Sequence, residues 1–327
     1  MHGYDLYLYK EGRHSFGDAR KVRSLASETA RQSENADRPW LAWFAADFQE
    51  EMSAFDGSLL DRQSSFTVDC VKWLRRHHKQ QYASDVPVVL VGHSMGGLVA
   101  KAAAIALVEE GLGDSILAIV TLAAPQQQAP ASVHAPLHAF YHKLQRAAEV
   151  SDVLAVAADV STNSSVGLVP LLSIAGGAKD LLVLPELNAL VGVWPQHLAV
   201  EADVRDMPGV WVSADHQAMV WCNQLVKSLA QLLCSIAQPA ILTHSSAPAA
   251  QQHIVHLMQA MTQPGVTSLL GWEHSQDQSE SAAIVLQGPG STAGQDCQLR
   301  KFAAGSTAAV GQKLDVIRAS DAKHCQK

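Results

Sequence analysis

The sequence predicts an α/β fold, a mainly parallel sheet with helices on both faces. Two observations carry that prediction. Short, continuous apolar runs rich in β-branched residues alternate with longer segments of helical period, as in βαβ units whose strands are buried on both sides. One of these runs feeds a glycine-rich turn, Gly92-His93-Ser94-Met95-Gly96-Gly97, which opens directly into a helical segment. The chain has 327 residues, 48% of them hydrophobic and 17% charged. That suffices for a sizeable core in one large domain or two ordinary ones and excludes wholesale disorder.

The elements follow in order. Residues 39–48 (PWLAWFAADF) read as a strand and 66–80 as a helix with Val68, Val71, Trp73 and Leu74 near one face. Residues 86–92 form an apolar, β-branched run, a strand buried on both faces. Residues 95–111 read as a helix closed by a glycine. Residues 115–122, 169–175 and 210–213 read as further strands, and 216–236 as one long helix. These elements place an α/β domain at 1–237, apparently lacking one strand near the N-terminus. Residues 238–327 form a low-charge tail rich in Ala, Ser and Gln, either poorly ordered or the start of a second small β domain. Within it, 253–261 suggest a helix, 282–286 and 314–317 isolated strands, and 288–294 a loop.

Composition narrows the function. A net charge of −7 argues against a nucleic-acid partner, which calls for a basic surface. The five cysteines contain no CxxC pair, so no zinc ribbon or thioredoxin-like motif is read. No apolar run reaches the length of a membrane span, and residues 1–5 do not begin a signal peptide, so the chain as written reads as soluble. No cofactor or metal is called for. His134, His138 and His142 fall at helical spacing, but Pro136 interrupts their first turn and a polar lid face is the preferred reading. Residues 75–79 (RRHHK) read as the solvated end of a helix, and Asn163-Ser164-Ser165 matches a glycosylation pattern.

The chemistry centres on Gly92-x-Ser94-x-Gly96. A G-x-S-x-G between a buried strand and a helix is the nucleophile elbow of α/β-hydrolases. Its glycines remove side chains that would clash two residues either side of a strained serine. Ser94 is therefore the candidate nucleophile, at the positive end of the following helix, and the backbone N–H of Met95 the candidate oxyanion donor. The chain order Ser, acid, His then selects partners. Asp180 follows the strand at 169–175 and the Gly176-Gly177 pair, so it is the candidate acid, with Asp203, Asp206 and Asp215 as competitors. His216, just past the run at 210–213, is the candidate base.

Beyond the elbow, several segments resemble the eukaryotic GPI inositol-deacylases, a family of lipase-like serine hydrolases. Residues 4–12 (YDLYLYKEG) resemble the family's opening "YxLYLYREG", 22–26 its "VRSLA", and 47–57 (DFQEEMSAFDG) its "DFNEELSAFHG". Residues 173–180 (SIAGGAKD) are similar to "SIAGGxRD", and 215–226 (DHQAMVWCNQLV) to "DHxAIVWCNQLV". The last two segments hold Asp180 and His216. The resemblance covers roughly residues 4–233 and implies removal of a fatty acyl chain from the inositol of GPI anchors. In that reaction Ser94 attacks the ester, His216 acts as base, Asp180 orients it, and GPI lipid or a GPI-anchored protein is the partner. It implies a place on the lumenal face of the endoplasmic reticulum membrane and a role in export of anchored proteins. Three departures accompany it. Only nine residues, 13–21, stand where the family has a strand and a loop carrying a second oxyanion donor. Gln126 replaces the family's histidine in "TxxxPH". The family's flanking transmembrane helices are not read in this chain. Two alternatives therefore stay open, a generic lipase or esterase and a hydrolase-like binding protein impaired by the missing oxyanion strand.

Overall fold

The computed structural model describes residues 20–36, 41–48, 53–82, 87–129, 134–157, 168–238, 241, 248–262, 300–301 and 314–318. Helix α1 (Arg20–Ala36) precedes strand β1 (Trp43–Asp47), and helix α2 (Gly57–Tyr82) leads to strand β2 (Val88–His93). Helix α3 (Met95–Glu109) connects β2 to strand β3 (Ile116–Leu122), and helix α4 (Ala135–Ala157) precedes strand β4 (Leu171–Ala175). Strand β5 (Ala199–Asp203), helix α5 (Asn223–Ile236), helix α6 (Pro248–Thr262) and the strands β6 (Arg300–Lys301) and β7 (Leu314–Arg318) follow.

The central sheet has the order β2-β3-β4-β5, with every pairing parallel. All seven residues of β3 and all five of β4 are buried, which is why both segments are apolar throughout rather than alternating. Helix α3 is covered on nearly all sides, burying Leu98, Val99, Ala102, Ile105 and Leu107, and its alanines and glycines let it lie close to the sheet. At Gly97 an added Cβ would stand 2.7 Å from the Ala124 Cβ and 3.0 Å from Thr121 Cγ2. Helix α5 is amphipathic. It buries Leu225, Leu229, Leu232 and Ile236 at helical spacing and packs against α1, where Gln32 Nε2 donates to the Lys227 carbonyl at 3.1 Å. Trp43 at the start of β1 is held by its indole N–H, 2.9 Å from Thr29 Oγ1 of α1.

Three expectations change. Residues 210–213 are not a strand. Val210 N and Trp211 N both donate to the Met207 carbonyl, and Trp211 has φ 44, so the backbone turns there. The sheet strand after β4 is instead Ala199–Asp203, whose half-exposed alternation gave a weaker sequence signal. The helix read from 216 begins only at Asn223. Asp215 Oδ1 accepts the N–H groups of Gln217 (2.9 Å) and Ala218 (3.0 Å), which closes a local turn, and a short 3-10 turn (Ala218–Val220) follows. Pro136 does not break the array around His134. It sits in the first turn of α4, where its missing N–H costs no helix bond. The expected strand at 282–286, the loop at 288–294, the sequon and the opening segment 4–12 lie outside the described residues.

Beyond residue 238, α6 buries Ile254, Val255, Met258 and Met261 and packs against α5 and β5. Strand β7 runs parallel to β1, pairing Trp43 with Leu314 through Asp47 with Arg318, and β6 joins β7 antiparallel. These three strands form their own sheet, in the order β1-β7-β6. Among the described residues, β2 is therefore an edge strand of the central sheet, with β3 on its other side. No helix of the described residues is long and apolar enough to cross a membrane.

Candidate active site

The turn between β2 and α3 is bent sharply. Ser94 has φ 57 and ψ −129, a conformation that L-residues adopt only when their surroundings hold it. Those surroundings are visible. Ser94 N donates to the Leu122 carbonyl at the end of β3 (2.9 Å), and the Ser94 carbonyl accepts from Gly97 N (3.0 Å). A Cβ at Gly92 would lie 2.5 Å from the Gly96 carbonyl oxygen and 2.6 Å from Gly97 Cα, so only glycine fits. Ser94 is 1% exposed, and its Oγ has no hydrogen-bond partner among the described residues. Met95 and Gly96 follow as the first residues of α3, where N–H groups have no intrahelical acceptor and point out of the helix end.

The end of β4 supplies the carboxylate. The chain turns through Gly176 and Gly177, the latter at φ 77, into a single 3-10 turn and then Asp180. A Cβ at Gly176 would stand 2.9 Å from the Ala214 carbonyl oxygen and 3.0 Å from the Asp180 Cβ, so this glycine lets two loops and the acid crowd together. Asp180 is fully buried. Its Oδ1 accepts the N–H groups of Leu182 (3.0 Å) and Val183 (2.9 Å). Both carboxylate oxygens also lie within reach of His216 Nδ1, at 3.2 and 3.0 Å. A carboxylate only accepts, so Nδ1 of His216 carries a proton. His216 is 4% exposed.

One residue links this pair to the turn at Ser94. His93, last residue of β2, donates from Nε2 to the His216 carbonyl oxygen at 2.7 Å. The two imidazoles lie 4.6 Å apart, tilted by 43°. Asp180 and His216 thus form a buried pair, and Ser94, itself buried, directly follows the histidine that bonds the His216 carbonyl. Two of the three competing carboxylates are engaged elsewhere. Asp203 pairs with Arg205 through two bonds of 2.9 and 2.8 Å, and Asp215 caps its own turn.

A second polar group is buried on α3. Lys101 of α3 is fully buried, and burial pushes its amine down to about 7. Its Nζ donates to Gln126 Oε1 at 3.0 Å and stands 5.6 Å from the centre of the Trp194 ring. Gln126 in turn donates to Thr121 Oγ1 (3.0 Å), and Tyr141 donates to the Pro125 carbonyl (2.8 Å). The next residue, Gln127, holds the segment after Asp180 by bonds to the carbonyls of Ala189 (3.0 Å) and Val191 (2.9 Å). The loop after β3 therefore ties the helix of the serine to the loop of the acid. Motif reasoning passed over Lys101. Its one signal was a single cation in an otherwise apolar helix, 98–107 (LVAKAAAIAL).

Large apolar side chains are exposed near the site. The exposed large hydrophobic residues among those described are Leu181, Leu182, Leu184, Val191, Trp211 and Trp221, all on the loops that carry or flank Asp180 and His216. Leu181 is 82% exposed although it adjoins a fully buried acid. His134, His138 and His142 do not converge on this site. His134 pairs with Asp56 at 3.9 Å, and His138 and His142 are exposed on α4. Among the described residues no group of His, Cys, Asp or Glu is arranged to hold a metal.

Comparison with known proteins agrees with the architecture. The model of the PGAP1-like alpha/beta domain matches residues 14–236. The chain is similar to a GPI inositol-deacylase of Emericella nidulans, 30% identical over 67% of this chain and 20% of that protein. It is likewise similar to one of Rattus norvegicus, 30% identical over 68% of this chain and 25% of the relative, and to one of Phaeosphaeria nodorum, 28% identical over 71% and 25%. The chain thus spans about a quarter or less of the length of these curated relatives.

Proposed function

Because the chain belongs to the PGAP1-like alpha/beta domain family, we propose that it is a serine hydrolase removing the fatty acyl chain from the inositol of GPI anchors. The observation that carries the proposal is the buried Ser94 in a strained turn, one residue from the histidine that holds the Asp180–His216 pair. In this reading Ser94 Oγ attacks the acyl carbonyl while His216 Nε2 takes its proton. Asp180 keeps the proton of His216 on Nδ1 and stabilises the imidazolium that forms. The tetrahedral oxyanion is received by the Met95 N–H at the positive end of α3. Its collapse breaks the ester bond, and the inositol oxygen leaves with the proton from His216. Water, deprotonated by the same histidine, then releases the fatty acid and restores the Ser94 hydroxyl. No cofactor enters the sequence.

Lipid as the substrate class is supported by the exposed leucines and tryptophans on the acid and base loops, since large apolar side chains left in water beside a site suit an apolar ligand or interface. The relatives named GPI inositol-deacylase support the anchor as its source. Action at the lumenal face of the endoplasmic reticulum during export of anchored proteins is the part of the proposal that rests on the family resemblance alone. The test has two parts. A fluorophosphonate probe should label the wild-type chain and not Ser94→Ala. Expression in deacylase-deficient cells should restore sensitivity of GPI proteins to phosphatidylinositol-specific phospholipase C, again lost in Ser94→Ala. Labelling without restored sensitivity would reduce the reading to a general esterase. Absence of labelling in a folded wild-type chain would leave only a binding protein.

A further inference from the structure

The residue between Gly92 and Ser94 has no part in the proton transfers above, yet it touches the base directly. We propose that His93 is a positioning residue that sets the place of His216 relative to Ser94; this rests on the hydrolase reading of the site. His93 ends β2, so its Cα belongs to the sheet, while its side chain reaches into the loop of 210–222. There Nε2 donates to the backbone carbonyl of His216 at 2.7 Å, a short bond in a site where both residues are almost fully buried. Its ring lies 4.6 Å from that of His216.

The need for such a contact follows from the local structure. His216 lies on an irregular segment. Val210 and Trp211 turn back on Met207, residues 211–215 belong to no regular element, and α5 starts only at Asn223. The Asp180 bond fixes the ring at Nδ1, and Ala214 N, donating to the Gly176 carbonyl at 2.9 Å, ties the backbone two residues before His216 to the loop after β4. The His93 bond adds a tie from the His216 carbonyl to the end of the strand that leads into the nucleophile. One strand end thus bears on both ends of the proton transfer, through the next residue, Ser94, and through the His93 contact with His216. Rate is sensitive to such placement, since a shift of about 1 Å costs on the order of 10²-fold. The contact also assigns the tautomer of His93, because a carbonyl oxygen only accepts and Nε2 must therefore carry a proton.

The experiment compares His93→Leu with His93→Gln, whose side-chain amide can donate at similar reach. The readouts are the rate of fluorophosphonate labelling and kcat and KM on a short-chain nitrophenyl ester, with Ser94→Ala as the blank. His93→Leu should lose about 10- to 100-fold in labelling rate and kcat with KM nearly unchanged. His93→Gln should recover most of that loss. Should His93→Leu fail to fold, His93→Asn, whose amide is one carbon too short, takes its place with the same expectation. Wild-type rates in the leucine or asparagine variant overturn the proposal, as does equal impairment of the glutamine variant. If wild type and Ser94→Ala label alike, the hydrolase reading fails instead, so the two failures are distinguishable.

Discussion

The amine of Lys101 is 3.0 Å from Gln126 Oε1 at a depth where neither side chain reaches solvent. Gln126 is neutral, so it satisfies a hydrogen bond of Lys101 without balancing its charge. With the folded value near 7 against 10.5 unperturbed, the sign of the effect is set. Below about pH 7 the amine is protonated in both the folded and unfolded chain, and the cost of burying the charge is carried in full. Between about 7 and 10.5 the unfolded chain keeps the proton while the folded chain has released it, so stability rises with pH. Lys101→Met removes this dependence. The variant should gain most over wild type near pH 6, on the order of a few kcal/mol less the loss at Gln126, and the gain should shrink toward pH 10. Urea titrations at pH 6, 8 and 9.5 measure it. A wild-type advantage that falls with rising pH would contradict the assignment.

Asp180→Asn should separate chemistry from folding. The asparagine oxygen can still accept the N–H groups of Leu182 and Val183, so the loop keeps its bonds and the melting temperature should change little. The tautomer of His216 is no longer enforced. Ester hydrolysis should fall by about 10⁴-fold, as when the acid of a serine–histidine pair is made neutral. A variant with more than a tenth of wild-type kcat would remove Asp180 from the mechanism.

Gly92→Ala should be damaging in a way that another glycine is not. At Gly92 the new Cβ meets backbone, the Gly96 carbonyl oxygen at 2.5 Å, and neither α3 nor β2 can give way without moving Ser94. At Gly111 (φ +74), after the end of α3, a new Cβ meets nothing within 4 Å and the cost is the positive φ alone, about 1 kcal/mol. Thermal denaturation of the two alanine variants should show a large loss for position 92 and a small one for 111. Similar losses would argue against a steric origin.

The apolar rim can be tested without touching the acid or base. Leu181→Ser combined with Leu182→Ser alters side chains that are 82% and 57% exposed and keeps the Leu182 N–H that Asp180 accepts. Hydrolysis of a water-soluble nitrophenyl ester should stay within about 2-fold, as is usual for exposed substitutions. Release of fatty acid from acylated inositol lipid in phosphatidylcholine vesicles should fall by at least about 10-fold, which requires only about 1.4 kcal/mol of the apolar contact that two covered leucines can supply. Equal effects on both substrates would assign these leucines to loop stability instead.

Legibility differed along the chain for physical reasons. β3 and β4 could be read because burial on both faces demands an unbroken apolar run, and Ser94 because strand, turn and glycines all coincide. Val210 misled for the same reason that β3 did not. It is apolar and buried, but it packs from a turn, and nothing in the letters 210–213 announces the left-handed backbone at Trp211. His216 was extracted from its expected helix by Asp215, a residue whose side chain competes for backbone N–H groups. The pairing of Trp43–Asp47 with Leu314–Arg318 is a contact across most of the chain, to which local pattern is blind. Lys101 was illegible because a lone lysine is ordinarily solvated, and only the packed neighbours reveal otherwise.

The place of β2 in its sheet has a bearing on inactivation. Sheets open from their margins, and local opening needs less free energy there than at the centre. The strand that ends at His93 and leads into Ser94 is at the margin of the four-stranded sheet among the described residues, while β3 lies inside it. On warming, amide exchange along Val88–His93 should outpace that of Ile116–Leu122. Loss of the proposed hydrolytic activity should then precede loss of the native circular dichroism.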